Sequence, residues 1–157
     1  MEKYACKTKI ISGAGTVNTL KEMGAKRLLL VSDPFFEKNG TAERIAARAG
    51  AEATHIYSGV TPDPTVEQVA NGTAILKTFA PDTVVALGGG SAMDCCKAMV
   101  FFSGLSVRFV AIPTTSGSGS EVTDFAILTH GGIKHPLIDE RLCPDVAILD
   151  SDLLKAL

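Results

Sequence analysis

Thr83-Val84-Val85-Ala86-Leu87-Gly88-Gly89-Gly90-Ser91-Ala92-Met93-Asp94 decides the fold of this 157-residue chain. Residues 83–87 form a continuous run of the kind found in a strand covered on both faces. Three glycines follow directly. Residues 92–102 then read as a helix apolar nearly all round, and therefore buried. A buried strand that runs straight into a helix is the building unit of a parallel sheet.

The same alternation extends outward from this stretch. Upstream, residues 27–32 (Arg-Leu-Leu-Leu-Val-Ser) repeat the buried-strand pattern, and residues 53–57 predict a third strand. Between them, residues 35–49 read as helical, with Gly40 as a weak point and Gly50 as a stop. Thr61-Pro62-Asp63-Pro64 is a turn. Thr65 after it has the position of an N-cap, and Gln68 completes a capping box. Val66, Val69, Thr73, Leu76 and Phe79 give that helix one apolar face. Nearer the start, residues 7–12 predict a strand, Gly13-Ala14-Gly15 a tight turn, and residues up to Leu20 a short helix. Downstream, residues 108–112 form a strand closed by Pro113. Residues 125–129 and 133–138 flank Gly131-Gly132, a two-residue hairpin signal. Residues 146–149 are a last strand, and a helix starts at Asp152. The expectation is one α/β domain over residues 1–157, a largely parallel sheet flanked by helices with an added β-hairpin.

Composition narrows the partners. The formal charge of −2 and the absence of a basic run exclude an electrostatic nucleic-acid or anionic-membrane surface. Apolar stretches are too short to span a bilayer, and residues 1–9 are polar and charged rather than signal-like, so a cytoplasmic protein is expected. Cys6, Cys95, Cys96 and Cys143 have neither Cys-x-x-Cys nor disulfide-framework spacing, and read as small residues of a reduced protein.

The glycines carry chemistry as well as a turn. At a strand C-terminus, Gly88, Gly89 and Gly90 let the backbone approach a bulky anion. The helix start behind them aims free N–H groups and a positive dipole end at it, an arrangement that suits a pyrophosphate. The motif is neither Gly-x-Gly-x-x-Gly nor a P-loop. Ser91 and Asp94 also have capping-box spacing, so a purely structural role stands beside the ligand role. Residues 113–121 (Pro-Thr-Thr-Ser-Gly-Ser-Gly-Ser-Glu) follow another strand and offer hydroxyls and mobile N–H groups, the composition of a ligand wall. Within them Ser118 and Glu121 have capping-box spacing too. Asp33 ends the strand at residues 27–32. An acid there accepts hydrogen bonds from an adenosine ribose and repels a 2′-phosphate. It is equally placed to cap the next helix, whose first position is Pro34.

Taken in order, these segments resemble the iron-containing (group III) alcohol dehydrogenases. The match runs through Thr61-Pro62-Asp63-Pro64-Thr65, then Gly88-Gly89-Gly90-Ser91 with Asp94. It continues through Pro113-Thr114-Thr115, Gly117, Gly119 and Ser120-Glu121-Val122-Thr123 to Gly132-Ile133-Lys134-His135-Pro136, and ends in residues 144–150. Within the family the pattern most resembles the propanol-type short-chain enzymes. Polyol dehydrogenases and the dehydroquinate synthase group share the architecture, but the residues 113–123 favour the alcohol dehydrogenases. A stand-alone nucleotide-binding or assembly module is the alternative of a different class.

The resemblance implies a Rossmann-like, dehydroquinate synthase-like N-terminal domain that binds NAD(P), with a helical domain lying beyond this chain. It implies that Gly88, Gly89, Gly90 and Ser91 cradle the pyrophosphate and that Asp94 lies near a ribose. Thr114, Thr115 and Ser118 would line the adenine–ribose side, and Lys134 would reach the nucleotide from the hairpin. Asp33 falls where members favouring NAD carry an acid, so NAD is expected over NADP. Substrates would be a primary alcohol and its aldehyde, and a homo-oligomer is expected, with the first strand as a pairing edge. Polarising an aldehyde for hydride transfer needs positive charge at its oxygen. The family supplies it with a divalent metal such as Fe²⁺, held by one Asp and three His outside these residues. His55, His130 and His135 lack the spacing to replace them. No catalytic or metal-ligating residue is therefore assigned here, and the chain alone is expected to bind NAD weakly and to be inactive.

Overall fold

The computed structural model describes residues 6–154. Residues 1–5 and 155–157 lie outside the described residues, and with them part of the polar start and the end of the helix expected from Asp152. The strands are β1 (Lys9–Ser12), β2 (Arg27–Ser32), β3 (Ala53–Tyr57), β4 (Thr83–Gly88), β5 (Arg108–Pro113), β6 (Phe125–His130), β7 (Ile133–Ile138) and β8 (Val146–Leu149). The α-helices are α1 (Pro34–Lys38), α2 (Thr41–Arg48), α3 (Val66–Phe79), α4 (Gly90–Ser103) and α5 (Ser151–Leu154). Six strands form a parallel sheet in the order β1-β8-β5-β4-β2-β3, and β6 with β7 form the separate antiparallel hairpin.

The central strands show why continuous apolar runs were required. Side chains alternate across a strand, and both faces of this sheet are covered. Leu29, Val31, Val84, Ala86, Phe109 and Ala111 pack on one face with Val69 and Leu76 of α3 and Met93, Cys96 and Met99 of α4. Leu28, Leu30, Val85, Leu87, Val110 and Ile112 pack on the other with Ile45 of α2 and with Val17 and Leu20. A strand reading polar on alternate positions would leave one of these layers without a partner.

Two predicted helices take a different form. The segment after Gly15 is a 3₁₀ helix, Thr16–Met23, and the Asp150 carboxylate accepts from Gly15 N and Val17 N at its start, at 3.0 and 2.9 Å. The predicted helix 35–49 is two helices, α1 and α2. The chain leaves the first at Asn39-Gly40 and restarts where the Asn39 side-chain oxygen accepts from Thr41 N at 2.9 Å.

The capping box of α3 forms as expected. Thr65 Oγ1 accepts from Gln68 N, and Gln68 Oε1 accepts from Thr65 N, each at 3.2 Å. Val69 and Leu76 are buried beneath it, whereas Val66 is 41% exposed. Thr65→Ala is expected to lower stability by about 1 kcal/mol, read as a fall of roughly 2–4 °C in the thermal midpoint.

The other two capping boxes do not form. α4 begins at Gly90 with Gly89 as its N-cap and no side-chain cap, which puts Ser91 and Asp94 inside the helix. The short 3₁₀ turn at Ser120–Val122 is capped by Gly119, so Ser118 and Glu121 do not span its first turn. The glycines of each loop carry the chain into its helix without a side-chain cap, which displaces Ser91 and Ser118 from the cap position.

The crevice follows from strand order. From β2 the chain goes outward to β3 and then returns to the opposite side of β2 as β4. Connections leave in opposite directions at the C-terminal ends of β2 and β4, and ligands of open α/β sheets bind at such a point. Asp33 stands at the end of β2, and Gly88 ends β4. Among the described residues, no helix is long and apolar enough to cross a membrane.

Candidate functional site

A cavity of about 430 Å³ occupies this crevice. Asp33, Phe35 and Phe36 line it from β2 and α1, Val60, Thr61 and Pro62 from the turn before α3, and Thr114 and Thr115 from the end of β5. Gly89, Gly90, Ser91 and Ala92 line it from the start of α4. Six of the residues singled out in the sequence therefore meet in one space: Asp33, Gly89, Gly90, Ser91, Thr114 and Thr115.

The glycines differ in what they do. Gly88 has φ of +146°, and its carbonyl accepts from Thr114 N at 2.9 Å, which joins the ends of β4 and β5. A Cβ at Gly88 would lie 2.7 Å from Ala92 Cβ, so this position lets α4 sit directly on the strand end. Gly89 is extended at φ −84° and ψ −167°. A Cβ there would lie 3.1 Å from Thr115 Oγ1, inside the groove itself. At Gly90 the nearest neighbour of a Cβ would be Ser118 Cβ at 3.4 Å, so Ser118 borders the cradle without lining the cavity.

The electrostatics are those of an anion site built without a cation. No side chain caps α4, so its first-turn N–H groups are left for a ligand or water, and the dipole of this fourteen-residue helix ends here. Ser91 and Thr115 add hydroxyls. At the other end of the cavity, Asp33 Oδ1 accepts from Phe35 N at 2.9 Å, so Asp33 is the N-cap of α1, as one of its two readings held. The arrangement fits a ligand with an anionic middle and a hydroxyl-bearing end, and a dinucleotide has both.

Two sequence candidates stand apart from this space. Asp94 uses both carboxylate oxygens internally, Oδ1 accepting from Ser120 Oγ at 2.7 Å and Oδ2 from Ile127 N at 3.0 Å. Lys134 lies on the exposed hairpin and pairs with Asp63 at 2.8 Å. That pair, with Thr129 N donating to Pro64 O at 2.8 Å, ties the hairpin to the turn before α3.

One residue was missed by sequence reasoning. Lys97 is fully buried in α4, and its Nζ donates to Thr123 Oγ1 at 3.1 Å and Phe125 O at 2.7 Å. Burial pulls its ammonium down to about 8, against the raising influence of Asp94 and more distant acids. The available signal was a single Lys, one turn after Asp94, in a helix otherwise apolar nearly all round.

Other candidate chemistry is not supported by the geometry. Burial pushes the Cys95 thiol up to about 12 and the Cys96 thiol well above its ordinary value, so neither is a ready nucleophile. His130 pairs with Ile133 across the hairpin, and its ring lies 6.5 Å from that of His135. Among the described residues no group of three or more His, Cys, Asp or Glu side chains could hold a metal ion. The described residues therefore do not fit the metal that the resemblance implies. A cavity of 470 Å³ beside α2 is larger, but its polar groups bond one another: Arg44 to Thr41, Arg48 to Asn18, and Asp150 to the amides of Gly15 and Val17.

Comparison with known proteins identifies the family. The family model described as iron-containing alcohol dehydrogenase matches residues 7–151. The chain is 39% identical to 1-propanol dehydrogenase PduQ of Citrobacter freundii, over 98% of this chain and 44% of that protein. It is 33% identical to an NADPH-dependent butanol dehydrogenase of Clostridium saccharobutylicum, over 100% of this chain and 47% of that protein. Its fold superposes with a TM-score of 0.90 and 29% identity on sulfoacetaldehyde reductase from Bifidobacterium kashiwanohense in complex with NAD⁺, covering 100% of this chain and 48% of that one. The chain thus spans about half the length of these relatives. A strand-end glycine cradle, a Thr-Thr wall and a match over residues 7–151 make the chain a member of the iron-containing alcohol dehydrogenases, a family of oxidoreductases.

Proposed function

We propose that residues 1–157 serve as the nucleotide-binding portion of an NAD-linked, metal-dependent alcohol dehydrogenase that interconverts a primary alcohol and its aldehyde. The observation that carries this reading is the uncapped start of α4, opening behind Gly89 onto a cavity that also holds Asp33, Thr114 and Thr115. In this reading Gly89, Gly90 and Ser91 bind the pyrophosphate through backbone N–H groups and a hydroxyl, and Gly88 sets their position. Thr114, Thr115 and Ser118 line the adenosine side, Asp33 receives the ribose hydroxyls, and Lys134 reaches the nucleotide after leaving Asp63.

The preference for NAD rests on Asp33, since the butanol dehydrogenase relative is named for NADPH. A carboxylate beside the ribose repels a 2′-phosphate. Titration calorimetry with each dinucleotide tests this directly. NAD is expected to bind at least about tenfold more tightly than NADP, a difference of about 1.4 kcal/mol. Asp33→Asn keeps the N-cap acceptor for Phe35 N and removes the charge, so it should narrow the gap while leaving the unfolding midpoint nearly unchanged. Equal affinity of the unsubstituted chain for NAD and NADP would refute the assignment of Asp33.

A further inference from the structure

Asp94 and Lys97 lie three residues apart on α4, hence on one face of the helix. Between them they make four hydrogen bonds to a single stretch of chain. Asp94 receives Ser120 Oγ and Ile127 N, and Lys97 gives to Thr123 Oγ1 and Phe125 O. Residues 120–127 are thus pinned at four points to the helix that also presents the glycine cradle.

That stretch meets the border of the candidate site at one end and the hairpin at the other. At one end, Ser118 Oγ accepts from Ser120 N at 3.4 Å, and Ser118 sits over Gly90. Thr115, a little earlier in the same loop, faces Gly89. At the other end, Ile127 lies within β6, the strand that leads to the hairpin carrying Lys134. The two Lys97 pins are deep, because Lys97 is inaccessible to solvent and such bonds are not exchanged for water at little cost. The surrounding acids act on Lys97 as a set: Asp94 from its own helix, and Glu121 and Asp124 from the pinned stretch.

We propose that Asp94 and Lys97 are positioning residues for the nucleotide site, holding residues 120–127 against α4 so that Thr115 and Ser118 close over the glycine cradle. This rests on the reading of that cradle as a dinucleotide site. It gives Asp94 a role through the loop, in place of the ribose contact that the family resemblance implied.

The test uses the 157-residue chain, with residue-resolved amide exchange in the absence of ligand and NAD titration by calorimetry. Lys97→Met keeps length and apolar bulk while deleting both donors. It should accelerate exchange within residues 120–127 by at least about tenfold and weaken NAD binding by a similar factor. Protection in β2 and β4 should stay intact, since a merely structural loss would lower protection throughout. Asp94→Asn, which keeps the shape but loses one of two acceptors, covers the case in which Lys97→Met does not fold, and should give the same pattern at smaller amplitude. Unchanged exchange in residues 120–127, or altered exchange with unchanged NAD affinity, would overturn the proposal alone. No NAD binding by the unsubstituted chain would overturn the functional reading, and the positioning role with it.

Discussion

Gly88→Ala is expected to destabilise the protein by roughly 2–6 kcal/mol, summing a strained backbone and an overpacked contact of about 1–3 kcal/mol each. The first contribution is conformational: at φ of +146° a side chain is strained whatever room it has. The second is steric. The new methyl would stand 2.7 Å from Ala92 Cβ, and neither is the far end of a flexible chain that could swing aside. Relief requires α4 to lift from the end of β4, which would also stretch the bond from Thr114 N to Gly88 O. Against a typical domain stability of about 5–15 kcal/mol this is a large fraction. The contrast is Gly89→Ala. Its backbone is extended and accepts a side chain, and the only close neighbour is Thr115 Oγ1 at 3.1 Å. That variant should hold its unfolding midpoint to within about 1 kcal/mol and lose NAD affinity instead. Urea unfolding of both variants checks the pair, and equal midpoints would contradict the different roles assigned to the two glycines.

Asp150→Ala should cost about 2–4 kcal/mol, because it strips the acceptor from amides that cost about 1–3 kcal/mol each when left buried and unpaired. Asp150 is 1% exposed, and its carboxylate accepts from Gly15 N and Asp152 N at 3.0 Å and Val17 N at 2.9 Å. These bonds fasten the 3₁₀ helix after β1 to the end of β8 and start α5. Alanine leaves buried amides without an acceptor, whereas Asn restores part of the set and should lose about half as much. The pH dependence has a definite sign. Burial by itself would raise the carboxyl, but the three amides and the nearby Arg48 outweigh it and hold it below the ordinary value of 3.8. A group lowered in the folded state contributes stability that is present above its unfolded value, near 4, and is lost as pH falls through the lower folded value. Thermal midpoints of the unsubstituted chain should therefore fall more steeply below about pH 4 than those of Asp150→Ala. Parallel curves would show that the carboxylate contributes nothing in its ionised form.

Both expectations concern residues whose sequence signals were only partly legible. The glycine run reads as a place where backbone could approach an anion, and the structure gathers Gly89, Gly90 and Ser91 with Asp33, Thr114 and Thr115 in one cavity. What distinguishes Gly88 from Gly89 is a helix packed on a strand end, and no local pattern encodes that distance. Asp150 was visible as part of a family-like segment, yet two of its three amide partners, Gly15 and Val17, lie more than 130 residues away in the chain. Lys97 is not legible in the sequence, because a helix apolar nearly all round predicts burial, and burial of an ammonium depends on partners supplied by residues 123 and 125. The Ser91–Asp94 and Ser118–Glu121 spacings matched capping boxes that do not form, since spacing cannot say which residue becomes the N-cap.

The sequence by itself determined the elements and the sites where chemistry could sit. Continuous apolar runs required a sheet covered on both faces, Thr65 with Gln68 started α3, and Gly131-Gly132 turned the hairpin, because each depends on neighbours within a few residues. Only the tertiary structure decided the order β1-β8-β5-β4-β2-β3, and with it that Asp33 and Gly89 face one crevice. It alone placed Asp94 and Lys97 on residues 120–127 instead of in that crevice. Hydrogen-bond partners of buried charges are chosen by which backbone groups are left unpaired when the layers close, and that accounting exists only in three dimensions.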